Sequence, residues 1–257
     1  MPDLSTLPAA TLAWIAIVML LAGFAHGTIG FGFPLVATPL LALVMDFKAA
    51  IVVSLVPTIG VTLVNAFRGG RLRESIGRFW FLPLCLAVGA WLGTLVLIVA
   101  PSEPFLLVLA VLVLAFLNLE RLGRSEIPIV KAYPRAFAAG FGLVAGVSEA
   151  TANVAGPPLL VFFMLVGLSP RPMVQVLNFS FIAGKGAQIA TWTAVGGIGP
   201  GQWLATVPFA LVALVTLFAG HRLHDRVGAA TYTKWLRAYL WVMVVLLVAQ
   251  FARSLAA

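Results

Sequence analysis

Long runs of apolar residues, separated by short polar loops, dominate the pattern along this 257-residue chain. Thr11–Ala25, Ala49–Phe67, Phe79–Ala100 and Phe105–Leu119 contain almost no charged side chains. A membrane-spanning helix needs about 20 predominantly apolar residues. The pattern therefore predicts an all-α, polytopic transmembrane helical bundle that forms one domain over residues 1–257. Its ten predicted helical segments are 12–27, 33–46, 48–67, 78–100, 104–120, 135–147, 154–168, 172–195, 202–220 and 232–254.

Composition supports the membrane assignment and excludes several other classes of protein. The chain is 62% hydrophobic and only 9% charged, whereas soluble domains carry about 25% charged residues. The net charge of +8 comes from basic residues in short loops, so we expect membrane lipids as partners and no nucleic acid. The single cysteine, Cys85, cannot form a disulfide within the chain. The start, with Asp3 and no basic residue, predicts that the first segment is retained rather than cleaved.

A motif of glycines and prolines occurs twice. AGFAHGTIGFGFPLVATPLL in the first half matches FGLVAGVSEATANVAGPPLL in the second half at an offset of 119 residues. The pairing divides the chain into a first repeat, 11–122, and a second repeat, 133–256. Paired Gly- and Pro-interrupted apolar segments are typical of transport sites built from broken helices. The short segments at each break are consistent with two thin helices or with one re-entrant hairpin. The anchors of the two copies are Gly23, Gly27 and Pro39, and Gly142, Gly146 and Pro158.

The distribution of Lys and Arg predicts how the chain crosses the membrane. Loops 68–78, 120–135 and 221–237 are rich in basic residues, whereas loops 101–104 and 196–202 contain none. Short basic loops remain in the cytoplasm, so both termini are predicted to be periplasmic. Loops 68–78 and 196–202 occupy equivalent places in the two repeats but lie on opposite sides. The bundle is therefore predicted to consist of two inverted-topology repeats with broken or re-entrant helices.

Polar residues at the two breaks are the candidate substrate-binding site. Glu149 lies between two apolar segments, in SEATAN, where a carboxylate costs roughly 2.5 kcal/mol or more at membrane depth. Lys185 lies in the middle of a predicted helix, too far from either end for its ammonium to reach the interface easily. Helix N-termini that face a break carry partial positive charge and favour an anion. The candidate substrate-binding residues are His26, Thr28, Gly30, Gly32, Ser148, Glu149, Thr151, Asn153, Gly156, Pro157, Asn178, Lys185 and Gln188.

Each candidate also has a structural interpretation, and the sequence leaves both open. Glu149 and His26 are the candidates for coupling transport to protons, but either could be a hydrogen-bonding group between helices. Lys185 could bind an anion or form an ion pair with Glu149. The intramembrane amides of Asn178, Gln188 and Asn65 could hold helices together or contact a ligand. No GxxxxGK[ST] motif and no cluster of metal ligands is present in the sequence, so we expect no ATP-driven step, no metal and no other cofactor.

Three stretches of the chain resemble the TauE/SafE family of sulfite-exporter-like permeases: GFAHGTIGFGFPLVATPLLAL, GVSEATANVAGPPLLVFFMLVGLSP and VLNFSFIAGKGAQ. The similarity covers nearly the whole chain. The first motif departs from the second, because Thr38–Pro39 stands where the second copy has Pro157–Pro158, and Pro34 is inserted after Phe33. The resemblance implies transport of small anions across a bacterial or archaeal inner membrane, often sulfur oxyanions or organosulfonates.

The leading hypothesis is a secondary transporter for a small anion: a sulfur oxyanion, an organosulfonate or an organic carboxylate. A passive anion channel is the first alternative. An enzyme acting on lipid phosphates is the second, but that chemistry needs clustered carboxylates and an arginine at the site. Away from the ends of the predicted segments, the sequence offers the carboxylate of Glu149 at membrane depth and no arginine beside it, so we expect no enzymatic activity. Substrate, direction, coupling ion and oligomeric state, including a homo-oligomer, are left open.

The topology can be tested with reporters that are active on only one side of the membrane. Fusions at either terminus are expected to report a periplasmic location, because the basic loops hold the intervening turns in the cytoplasm. A fusion after residue 124, in a basic loop, serves as the cytoplasmic control. A cytoplasmic signal at either terminus would contradict the inverted-repeat prediction.

Overall fold

The computed structural model describes residues 4–68, 79–101, 103–118, 128–168 and 170–224, with Gly77, Arg226 and scattered positions from 234 to 252. All regular elements within these residues are helices, which confirms the all-α class. Most of the predicted segment 232–254 and most of the basic loop residues lie outside the described residues. After a 3-10 turn at Leu4–Thr6, the helices are α1 Ala9–Ile29, α2 Phe33–Leu41, α3 Phe47–Phe67, α4 Phe81–Val99, α5 Glu103–Asn118, α6 Pro128–Ala132, α7 Pro134–Ala152, α8 Gly156–Leu165, α9 Pro170–Ala194, α10 Pro200–Leu204 and α11 Val207–His224.

Four stretches of the described chain are long and apolar enough to cross a membrane. They are α1, α3, α4 and the stretch Pro200–Leu223, which joins α10 and α11. Large apolar side chains such as Leu21, Trp91 and Val215 are exposed on the outside of the bundle. Exposed apolar surface of this extent is typical of helices that face lipid.

The first helix of each repeat is longer than predicted. α1 extends to Ile29 instead of residue 27, and α7 extends to Ala152 instead of residue 147. Small polar residues near both ends do not unwind the helix, because their hydroxyls bond to carbonyl oxygens of the preceding turn. The breaks are therefore short, at residues 30–32 and 153–155. The hydroxyls concerned belong to Thr28, Ser148 and Thr151, which donate to Ala25, Val144 and Val147 at 2.8, 2.9 and 2.8 Å.

The short helices fold back beside the helices that precede them. Trp14 Nε1, near the start of α1, donates to the carbonyl of Leu40, near the end of α2, at 2.9 Å. In the second repeat the rings of Phe141 on α7 and Phe162 on α8 lie 5.8 Å apart. Each pair is thus a helical hairpin. Helices α2 and α8 are about 14–15 Å long at 1.5 Å per residue, about half the bilayer core, so neither can span it.

Glycines allow the two repeats to pack backbone against backbone. A Cβ atom added to Gly27 on α1 would collide with the carbonyl oxygen of Leu217 on α11. A Cβ added to Gly146 on α7 would collide with the carbonyl oxygen of Leu86 on α4. Close approach through small residues is a common way for membrane helices to associate. Helix α1 therefore packs against α11, and α7 packs against α4, so each contact joins one predicted repeat to the other.

Helices α3 and α9 lie antiparallel in the bundle. Gln175, near the start of α9, donates to the carbonyl of Ala66 near the end of α3 at 3.4 Å. Further along α9, Lys185 is linked through Asn153 to Ser54, which lies nearer the start of α3. Equivalent helices of the two repeats thus run in opposite directions here, an arrangement that an inverted repeat requires. The inverted repeat across a membrane stays a prediction.

Substituting Gly146 by Ala is expected to lower thermal stability in detergent. The added Cβ would lie 2.6 Å from the backbone nitrogen of Ala90 and against the Leu86 carbonyl, and neither can move without shifting α4. Overpacking of this kind costs about 1–3 kcal/mol. Gly140→Ala on the same helix is the matched control, because nothing lies within 4 Å of its added Cβ. That control is expected to be neutral or slightly stabilising; equal melting temperatures for the two variants would contradict the close packing.

Candidate functional site

A buried ion pair joins α7 to α9. Glu149 lies in the last turn of α7, and Lys185 lies in the middle of α9. Their Oε1 and Nζ atoms are 3.3 Å apart, and the side chains are only 2% and 0% exposed. Two opposite charges at this depth compensate each other, whereas either charge alone would be costly. Both residues were predicted as site residues, and the structure brings them into contact.

Asn153 connects this ion pair to the first repeat. Its Oδ1 accepts a hydrogen bond from Lys185 Nζ. Its Nδ2 donates to Thr38 Oγ1 at 2.6 Å and to Ser54 Oγ at 2.9 Å. Asn153 itself caps the C-terminus of α7 with φ of 58°, the left-handed conformation that asparagine tolerates better than most residues. One side chain therefore links α7 and α9 of the second repeat to α2 and α3 of the first.

Within the described residues, several buried polar atoms at the ion pair or further along α9 have no hydrogen-bond partner. One is Glu149 Oε2, which lies against Gly184; a Cβ added to that glycine would collide with it. Gln188 is fully buried, one turn beyond Lys185, and both its Oε1 and Nε2 are unpartnered. Trp192 Nε1, one further turn along α9, is also unpartnered. Unsatisfied buried groups are rare in native proteins and point to a functional ligand or to water.

A small cavity lies where the two breaks meet, with a volume of about 10 Å³, close to the minimum for one water molecule. Glu149 and Asn153 contribute its polar wall. The first turns of α2 and α8 also border it, so the partial positive charge of two helix N-termini faces the same space. Its lining residues are Phe31, Gly32, Pro34, Leu35, Glu149, Asn153, Val154, Ala155, Gly156 and Phe181.

The first break is stabilised by a neutral histidine. His26 Nδ1 accepts a hydrogen bond from the backbone N–H of Phe33 at 3.2 Å, which caps the start of α2. The ring proton is therefore on Nε2, which donates to Asn178 Oδ1 at 3.2 Å. Asn178 Nδ2 in turn donates to the carbonyl of Gly30 at 2.7 Å, the left-handed residue at the end of α1. Both ring nitrogens of His26 are thus engaged, and the arrangement favours the structural interpretation of this residue.

The predicted site residues fall into three groups. Glu149, Asn153, Lys185, Gly32 and Gly156 lie at the ion pair or the cavity. His26, Gly30 and Asn178 form a second polar cluster, two helical turns before Lys185 on α9. The third group lies at the edges of the site: Gln188 is buried beyond Lys185, Pro157 is in the first turn of α8, and the hydroxyls of Thr28, Ser148 and Thr151 bond to their own helices.

Sequence reasoning missed several residues that complete these clusters. Ser54 and Gly184 shape the ion-pair cluster, as described above. His221 was missed as well: its Nε2 lies 2.7 Å from Asn65 Oδ1, and Asn65 Nδ2 donates to the carbonyl of His26 at 3.4 Å. Asn65 itself was expected as an amide that could hold helices together, and it does so here. These residues lie 35 to 156 positions from their partners in the chain, so no local motif could indicate the contacts. Within the described residues, no group of three or more His, Cys, Asp and Glu side chains could hold a metal ion.

A family model described as Sulfite exporter TauE/SafE matches residues 15–251 of the chain. This match covers both hairpins, the ion pair and both polar clusters. No curated protein and no solved structure matches the chain.

Replacing Asn153 separates the role of its backbone from that of its side chain. Asn153→Gly keeps the left-handed conformation but removes the hydrogen bonds to Thr38, Ser54 and Lys185. Asn153→Ala removes the same bonds and adds backbone strain of about 1–2 kcal/mol. Both variants are expected to be less stable than the wild type in thermal unfolding, and the alanine variant is expected to be the less stable of the two. An alanine variant as stable as the glycine variant would contradict the cap assignment.

Proposed function

The chain belongs to the sulfite exporter TauE/SafE family, and on that premise we propose that it is a secondary transporter that carries a small anion across the inner membrane. The family and the apolar helices make it a multi-pass membrane protein of the anion-exporter type. The finer proposal concerns where the anion binds and how the protein moves it. It rests on the geometry around Lys185.

The observation that carries the proposal is a buried cation placed between two helix breaks. Lys185 Nζ is bound by Glu149 and Asn153, and both of these residues line the cavity. The N-termini of α2 and α8 add partial positive charge to the same space. Gln188 supplies an amide whose two polar atoms have no partner in the described structure. A buried ammonium, helix N-termini and a free amide donor together suit an anion with several oxygen atoms.

The size of the cavity supports a transporter that must open to bind. A volume of about 10 Å³ is too small for a sulfonate or sulfite ion. A site this small is what we expect of a transporter in a closed state. The opposite directions of α3 and α9 and the cross-packing of the repeats support two inverted repeats that rock around a central site, the usual basis of alternating access. We propose that both termini face the periplasm, as the basic loops predict.

Anion binding can be tested by thermal shift on the purified protein. Sulfite, methanesulfonate and acetate are the anion probes, and choline and glucose are the cationic and neutral controls. Bound anion at 100 times its dissociation constant should stabilise the protein by about 2.7 kcal/mol. The variant Lys185→Met combined with Glu149→Gln removes both buried charges together, so no unpaired charge is left to unfold the protein. This double variant is expected to show no anion-dependent shift.

Lys48→Met is the matched control for that double variant. Lys48 lies at the start of α3, where its Nζ donates to the carbonyl of Ile98 at 3.3 Å, away from the cavity. It is expected to keep the full anion-dependent shift. A double variant that keeps the shift would show that Lys185 is not in the site. A wild-type protein stabilised only by choline or glucose would contradict the anion proposal.

A further inference from the structure

The Glu149 carboxylate faces one charged partner in the described structure. Lys185 is the only side chain there that pairs with it, through Oε1, and Oε2 has no partner. The second ligand of Lys185, Asn153 Oδ1, is neutral. The site therefore holds one positive and one negative charge. The other titratable groups of α7 and its neighbouring helices lie elsewhere in the sequence: Arg135 at the start of α7, Arg171 at the second residue of α9, Cys85 on α4, Glu103 at the first residue of α5 and Lys131 on α6.

We propose that Glu149 and the transported anion compete for Lys185, and that this competition couples one proton to each monovalent anion. The inference rests on the proposed function of the site. Without anion, ionised Glu149 neutralises Lys185. When the anion takes the carboxylate's place, an ionised Glu149 would be buried without a counter-charge, which is strongly unfavourable. Glu149 therefore takes up one proton as the anion binds and loses it when the anion leaves.

The geometry allows the anion to replace the Glu149 carboxylate while Lys185 Nζ stays where it is. Asn153 holds Lys185 Nζ independently of Glu149, and Asn153 is itself anchored to Thr38 and Ser54. Among the described residues, Lys185 is the one partner that the carboxylate has to release, and the cavity lies beside the carboxylate. Gln188, one turn along α9, offers a donor to the incoming anion. The ammonium thus stays in place while its counter-ion changes.

The charge balance fixes the stoichiometry. The site carries zero net charge when it holds Lys185 and ionised Glu149. It also carries zero net charge when it holds Lys185, a monovalent anion and protonated Glu149. The anion and the proton are therefore carried together in the same direction, and transport of a monovalent anion moves no net charge. Membrane voltage alone should not drive it.

Proton uptake on binding can be measured by calorimetry with methanesulfonate, whose charge is fixed across the working pH range. Titrations in buffers of different ionisation enthalpy give the number of protons taken up per anion bound. Above the pH at which Glu149 ionises, the wild type is expected to take up about one proton per anion bound. Its affinity for the anion is then expected to fall about tenfold for each unit by which the pH rises. Glu149→Gln is expected to take up none and to bind the anion with pH-independent affinity. If only sulfite binds, its own proton uptake is measured in Glu149→Gln and subtracted.

The outcomes separate this inference from the proposed function. If no anion binds the wild type at any pH, the proposed function is wrong. If the anion binds without proton uptake, the function stands and the competition is wrong. The wild-type titration decides this even if Glu149→Gln does not fold. In liposomes, methanesulfonate uptake driven by a pH gradient but not by a potassium-valinomycin potential is expected; uptake driven by the potential would overturn the inference.

Discussion

A lysine and a glutamate buried in an apolar interior impose the strongest physical constraint on this fold. Each charge alone would be costly in that environment, so α7 and α9 must keep Glu149 and Lys185 within contact, at 3.3 Å. Gly184 leaves room for the carboxylate, and the left-handed cap at Asn153 brings an amide to the ammonium. The same amide reaches α2 and α3. The placement of both repeats around the cavity is thus tied to one pair of charges.

The two predicted repeats stabilise their helix breaks with different side-chain chemistry. Aligned on their left-handed caps, Gly30 at the end of α1 corresponds to Asn153 at the end of α7. Four residues before each cap lie His26 and Glu149. His26 is neutral and fixes the start of α2, whereas Glu149 pairs with Lys185. One break is therefore held by neutral hydrogen bonds and the other by a charged pair.

The class of protein and the position of its breaks were predictable from the sequence, because both depend on local patterns. Apolar length predicts the helices, and the doubled motif predicts where the hairpins turn. The pattern predicted the ends of α1 and α7 too early in the chain. A threonine or serine hydroxyl that bonds within a helix cannot be distinguished, from residue type alone, from one that caps a helix end. Ser54 and His221 could not be assigned, because their partners are distant in the chain. Aligning the two halves on the glycines of the doubled motif pairs Glu149 with Gly30. Aligning them on the C-terminal caps of α1 and α7 pairs Glu149 with His26 instead.

The cross-packing of the repeats has a consequence for biosynthesis. The surface of α1 around Gly23 and Gly27 is shaped to fit the backbone of α11, which lies about 190 residues later in the chain. At about 5–20 residues per second, roughly 10 to 40 seconds pass before that partner is made. During this interval the grooved face of α1 contacts lipid or the insertion machinery. Neither repeat can complete its own packing alone, so the chain reaches its native contacts only after the last helices are inserted.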